Sequence, residues 1–256
     1  MSNPEQAKKE YDSFAADYNN QYSATPTAAL ESQLIGLALG DDLTGLTVLD
    51  LGGGSGLHAR EAVKRGAVSV DIVDISTGML KVAEDVEKSL GREVMRFFEA
   101  DAAKPLSHLP LRPEGYDVVM GNWVFDFAET AEVLMAMFEN VVGNLKSGGL
   151  FVGVRTANIY SDNLKTGKYG ITYNEYRPFP GGVKYSVTAQ SDPPIVFDGA
   201  TLDILRASSL EVYEQAGLTN VEAVPYGATE VVQKDSEYWK EFVADPFFVV
   251  VKGVKK

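Results

Sequence analysis

The chain has 256 residues, with 23 Lys and Arg against 36 Asp and Glu and a formal net charge of −13. Nucleic-acid binding depends on Lys and Arg neutralising phosphates, so an acidic chain of this kind is not expected to hold DNA or RNA. With no cysteine and only two histidines, disulfides, thiolate nucleophiles and cysteine or multi-histidine metal sites are excluded or disfavoured, and no metal is expected.

The strongest apolar run, at 247–251, is far too short to span a bilayer. The first residues carry no apolar signal core, so a cytoplasmic location away from membranes is the expectation. Residues 3–22 are expected to be helical, because Tyr11, Phe14, Ala15 and Tyr18 recur at three- and four-residue spacing. Pro26 suits a first helical turn, and a second helix should run from there to about Leu39, with Gly40 as its stop.

Strands and helices then alternate. Strands are expected at 47–51, 68–73, 94–99, 116–120 and 150–154, with helices at 57–65, 76–90 and 129–145 between them. This rhythm predicts parallel βαβ units. After Arg155 it breaks. Residues 171–177 and 183–189 alternate in polarity around Pro180-Gly181-Gly182, which predicts a β-hairpin. A helix near 205–216 and strands near 221–224 and 247–252 then resume the α/β pattern.

The sequence Asp50-Leu51-Gly52-Gly53-Gly54-Ser55-Gly56 joins the first strand to a helix. Glycines there permit a tight turn and a close ligand approach, and the helix beyond offers free N–H groups. Two glycine registers compete. Gly54-x-Gly56-x-x-Ala59, with Asp74 twenty residues after Gly54, fits a dinucleotide fingerprint and an NAD(P)-dependent oxidoreductase. Asp50-x-Gly52-x-Gly54-x-Gly56 places an acid just ahead of the glycines instead. A carboxylate there suits a cationic ligand and repels a pyrophosphate. A purely structural turn is the third reading.

In the second register the chain resembles the class I methyltransferases that use S-adenosylmethionine (SAM). The resemblance spans roughly residues 45–155. It implies a Rossmann-like α/β fold with a seven-stranded, mostly parallel sheet and an antiparallel C-terminal strand. It also implies that Asp50, Gly52, Gly54 and Gly56 face the methionine part of SAM and that Asp74 holds the ribose. Ile75 and Met79 would flank the adenine. Asp101 and the Ala102 backbone would bind its edge, and Asn122 and Trp123, after the fourth strand, would face the methionine end. A looser likeness, carried by Tyr11-Asp-Ser-Phe-Ala-Ala-Asp-Tyr18, Phe125-Asp-Phe-Ala128 and Asn144-Leu-Lys-Ser-Gly-Gly149, is to small-molecule methyltransferases of the toxoflavin synthase-like type.

These resemblances imply one methyltransferase domain. Residues 1–42 would form a helical lid, 43–155 the cofactor core, 156–200 a substrate cap inserted after strand 5, and 201–256 the rest of the core. Tyr11, Phe14 and Tyr18 are candidate lid residues, either closing over a sulfonium or packing as an ordinary amphipathic helix. Phe14, Phe125, Tyr160, Tyr169, Tyr173 and Tyr176 are candidates to line a small aromatic or heterocyclic acceptor; alternating tyrosines also simply stabilise a hairpin. His58 and Arg155 are the candidate catalytic or acceptor-contacting groups, with His108 a weaker one. A monomer or homodimer is expected. A SAM-binding protein without methyl transfer is the remaining alternative.

Overall fold

A computed structural model describes residues 4–207 and 210–256 of the chain. Helix α1 covers Pro4–Gln21 and α2 covers Pro26–Leu39, with a 3-10 turn between them. The Thr25 side chain caps α2 by accepting from Ala28 N at 3.1 Å, and Pro26 takes the first turn, where its missing N–H costs nothing.

The core then runs β1 (Thr47–Leu51), α3 (Leu57–Lys64), β2 (Ser69–Asp74), α4 (Thr77–Ser89), β3 (Met95–Glu99), β4 (Tyr116–Met120), α5 (Ala131–Asn144) and β5 (Leu145–Thr156). Ser76 caps α4 through Met79 N at 3.0 Å, and Thr130 caps α5. Beyond the core come α6 (Asn163–Thr166), β6 (Ile171–Phe179), β7 (Gly182–Ala189), β8 (Ile195–Leu202), α7 (Asp203–Arg206) and α8 (Glu211–Gln215). The chain closes with β9 (Leu218–Ala223), α9 (Glu230–Lys234), α10 (Ser236–Ala244) and β10 (Phe248–Lys255).

Seven strands form one sheet in the order β3-β2-β1-β4-β5-β10-β9. The pairs from β3 to β5 are parallel, and β10 runs antiparallel to both its neighbours. The central strands are apolar almost throughout because helices cover both faces. One buried cluster packs α2, α3 and α4 against the sheet and continues into the inserted strands. The other gathers α5, α7 and α8 on Phe138, Phe151 and Tyr213.

The structure corrects the expected elements in four places. The insertion is a three-stranded antiparallel sheet, β6-β7-β8, and not a hairpin. Strand β8 lacks clean alternation and carries Gly199, where a Cβ would lie 3.0 Å from the Tyr185 ring, so packing and not pattern selects glycine there. Strand β5 starts at Leu145, passing through Gly148 at φ 75°, where the sequence suggested a helix end and a later strand. The expected helix over 205–216 is two short helices, with residues 208 and 209 outside the described ones. Helix α10, unforeseen, buries Trp239 and Phe242 beside Tyr169.

Candidate active site

Parallel strands β1, β2, β3 and β4 end at one edge of the sheet, where ligands of open α/β folds bind. The loop after β1 turns through Gly52, Gly54 and Gly56 at φ 69°, 51° and 75°, conformations that favour glycine. Gly52 N donates to Val73 O at 2.7 Å and so ties the loop to β2. At Gly53 an added Cβ would lie 2.8 Å from Asp50 Cγ and 2.9 Å from Ile72 Cγ2, so the backbone passes directly over the Asp50 carboxylate.

Asp50 is buried, and neither of its carboxylate oxygens has a hydrogen-bond partner. Burial pushes its pKa up to about 7; Asp74 adds to the rise and His58 opposes it. Asp74 Oδ2 accepts from Gly54 N and Oδ1 from Ser76 N, both at 2.8 Å. Burial pushes Asp74 up to about 6, against the pull of those amides. Ala100 N donates to Asp74 O, which sets Asp101 at the adjoining strand end, where its Oδ1 accepts from Ala103 N at 2.8 Å. Ala102 is buried, and its carbonyl accepts from Asn140 Nδ2. Met79 Cε lies 4.0 Å from where a Gly54 Cβ would stand, and half-buried Ile75 lies between Asp74 and Ser76.

Across the edge, beyond β4, Asn122 is buried with both amide atoms unpartnered. Trp123 follows at φ 63°, with its indole N–H buried and unpartnered. Buried polar atoms in folded proteins are almost always paired, and an orphan calls for a ligand, ion or water. Asp50, Asn122 and Trp123 together leave such orphans at the ends of neighbouring strands. A bare carboxylate, an amide and an indole N–H fit the ammonium and carboxylate of an amino-acid ligand. The same buried acid would repel a pyrophosphate.

His58 lies one turn into α3, with Nε2 2.8 Å from Glu31 Oε1. Glu31 is fully buried in α2, and its other oxygen accepts from Tyr22 Oη at 2.7 Å. Burial acts against charge on His58, but Glu31 and then Asp50 outweigh it and hold its pKa up. The group is thus a brace between α2, α3 and the glycine loop. Glu31 and Tyr22 carried no sequence signal.

A small, partly open aromatic cavity of about 50 Å³ adjoins the loop, lined among others by Tyr11, Tyr18, Trp123, Asp126, Tyr173 and Tyr185. Helix α1 roofs it. Asp12 Oδ1 accepts from Ser76 Oγ at 2.6 Å and Gly78 N at 2.7 Å, pinning α1 to the N-terminus of α4, and Lys8 pairs with Glu99. On the other side, Tyr11, Phe14 and Tyr18 pack on Phe197 of β8 at 5.6, 5.9 and 6.3 Å between ring centres.

Of the candidate acceptor residues, the structure therefore brings Tyr173 to the cavity and Phe14 to its roof. The others lie elsewhere. Phe125 stacks on Phe138 at 4.5 Å in the other core cluster. Tyr169 stacks on Trp239 at 5.1 Å. Tyr160 is 54% exposed and packs on Tyr176 at the surface. Tyr176 is 36% exposed and its Oη donates to Ile159 O at 2.8 Å, so it stands outside the cavity that Tyr173 lines. Arg155 is buried; its Nη1 and Nη2 donate to Thr156 O and Ala207 O, and its Nε has no partner. His108 sits on an exposed turn beside Pro105 O. Asp126, by contrast, lines the cavity and was given no role from sequence. It sits in the 3-10 turn Val124–Phe127, with Oδ2 accepting from Thr156 N at 3.0 Å and Oδ1 unpartnered.

Residues 48–149 match the family described as "Methyltransferase domain". The chain is 28% identical over 149 residues to a ribosomal protein L11 methyltransferase of Trichlorobacter lovleyi, covering 58% of this chain and 42% of that one, so the match spans less than half of the relative's length. Its fold superposes on the CcbJ methyltransferase of Streptomyces caelestis with a TM-score of 0.63 at 16% identity over 99% of both chains. It superposes on DhpI, solved with S-adenosylhomocysteine (SAH), with a TM-score of 0.60 at 16% identity over 98% of this chain and 96% of that one. The fold is the one these solved SAM-dependent methyltransferases share, and the part of the chain that matches the methyltransferase domain model spans β1 to the start of β5. Among the described residues no helix is long and apolar enough to cross a membrane, and no cluster of potential metal ligands occurs.

Proposed function

We propose that the protein transfers a methyl group to a nitrogen or oxygen of a small aromatic or heterocyclic acceptor. SAM supplies the electrophilic methyl and its own leaving group, so the protein's part is to hold acceptor and methyl in line and dry. In this reading Asp50, Asn122 and Trp123 bind the amino-acid end of the cofactor. Gly52, Gly54 and Gly56 let its chain lie on the loop. Asp74 turns from Gly54 N toward the ribose hydroxyls. Asp101 and Ala102 bind the adenine edge, and Ile75 and Met79 flank the ring. Tyr11, Phe14 and Tyr18 close the roof, and the sheet β6-β7-β8 shapes the acceptor site.

The observation that carries this reading is the cluster of orphaned polar atoms on Asp50, Asn122 and Trp123, set beside an aromatic cavity. The cavity of about 50 Å³ is far below the several hundred Å³ of ligand pockets, so α1 has to lift for entry. Calorimetric titration with SAM and SAH, followed by detection of SAH formed over a panel of aromatic amines, phenols and azoles, tests it. Binding plus turnover on any member is the expected result. SAM bound with no SAH formed over the panel would return the protein to a non-transferring SAM binder.

A further inference from the structure

The aromatic cavity contains one carboxylate among its described lining residues, and that carboxylate is half-satisfied. Asp126 is 3% exposed; Thr156 N holds Oδ2 at 3.0 Å, while Oδ1 makes no full hydrogen bond and the Thr156 and Thr201 hydroxyls are polar neighbours of the carboxylate. Around it stand the phenols of Tyr11, Tyr18, Tyr22, Tyr173 and Tyr185, every one of them held above its ordinary pKa by burial and so neutral at physiological pH. Tyr173 and Tyr185 stack at 4.5 Å and 18°, forming a flat wall, and Tyr185 Oη meets Thr156 Oγ1 at 2.9 Å. Trp123 belongs both to this cavity and to the strand end beside the glycine loop, so the acid and the cofactor residues share a wall.

We propose that Asp126 is a catalytic residue: its Oδ1 accepts the hydrogen bond of an acceptor X–H group, X being nitrogen or oxygen, and then takes that proton. This rests on the methyl-transfer reading above. As the X–C bond forms, the methyl C–S bond breaks and its electron pair stays on sulfur as the neutral thioether. The proton left on X passes to Oδ1. Acceptors bearing a carboxylate or phosphate inside the cavity are excluded, because like charge in a dry site is repelled.

The groups facing Asp126 set the pH at which it works. Burial raises it to about 6; Thr156, Thr201 and the Arg155 charge behind it oppose the rise, and the Tyr173, Tyr185 and Tyr213 phenols stay uncharged. The carboxylate is thus ionised, and able to accept, above about pH 6.

The test uses the whole protein saturated with SAH and benzimidazole as probe, with 1-methylbenzimidazole as the analogue lacking N–H. Benzimidazole should bind at least tenfold more tightly than its methylated analogue, and the ratio of the two affinities, in which the similar basicity of the probes cancels, should fall as pH drops through about 6. In Asp126→Asn both the discrimination and the pH dependence should vanish, which a merely structural acid would not produce. In case that variant misfolds, the Asp126 carboxyl ¹³C resonance in the wild-type protein gives an independent reading: its titration should move to lower pH on benzimidazole binding. Failure of benzimidazole to bind, equal affinity for the two probes, or an unmoved carboxyl titration would overturn the proposal while SAH binding stands. Failure of the wild-type protein to bind SAH overturns the methyl-transfer reading itself, and this proposal with it.

Discussion

Asp50→Asn removes a buried charge at nearly constant side-chain size, and neither oxygen has a hydrogen-bond partner to lose. Burial lifts Asp50 to about 7 from an ordinary 3.8, a rise of roughly three units, or about 4 kcal/mol at 1.36 kcal/mol per unit. The folded-state pKa is the higher one. Stability conferred by the protonated acid is therefore complete below about pH 4 and is lost as pH rises through about 7. The asparagine variant escapes that loss. Its advantage over wild type in urea denaturation should widen by roughly 2–3 kcal/mol between pH 5 and pH 8. The same variant should bind SAM more than tenfold more weakly, because the partner of the ligand's ammonium is gone. An advantage that stays constant with pH, or a variant less stable at pH 8, would refute the assignment of Asp50 as an unpaired acid kept for a cationic ligand.

Gly53→Ala should abolish SAM binding and lower stability, since the new Cβ would sit 2.8 Å from Asp50 Cγ; calorimetry and thermal unfolding check both. Asp74→Ala frees Gly54 N and Ser76 N from a charged acceptor and should cost about 2–3 kcal/mol of loop order and at least tenfold in SAM affinity, measured by titration. Asp12→Ala unpins α1 from Ser76 and Gly78, so amide exchange in α1 should quicken while exchange in β1 and β4 stays unchanged. Turnover on any acceptor found should fall as pH drops through about 6, following ionisation of Asp126, and a rate flat from pH 5 to 8 would speak against it.

The core was legible because it is local. Each of β1 to β4 is a short apolar run followed by a glycine, acid or asparagine, and the carboxylates of Asp50, Asp74 and Asp101 come straight from that rhythm. Ser76 announced its helix because capping depends on three residues only. What stayed hidden depends on distant partners. Asp126 reads as a polar residue in an aromatic run, and only Thr156, at the far end of β5, makes it a buried acid. Glu31 looks like a solvent-facing glutamate in α2 until Tyr22 and His58 close on it. The tyrosines of the insertion look alike in sequence; contacts with Ile159 and Tyr160 hold Tyr176 at the surface, and the packing of α10 draws Tyr169 away from Tyr173. Strand β8 leaves no signature in the sequence because Gly199 and its apolar neighbours fit a packing requirement and no period.

The most direct measurement is a crystal structure of the protein grown with SAH, checked by calorimetry against NADH. The ammonium should lie on Asp50, the ribose on Asp74 and the adenine beside Asp101, and NADH should give no heat. A ligand seated away from these side chains, or NADH bound with its pyrophosphate on the Gly52–Gly56 turn, would contradict the assignment.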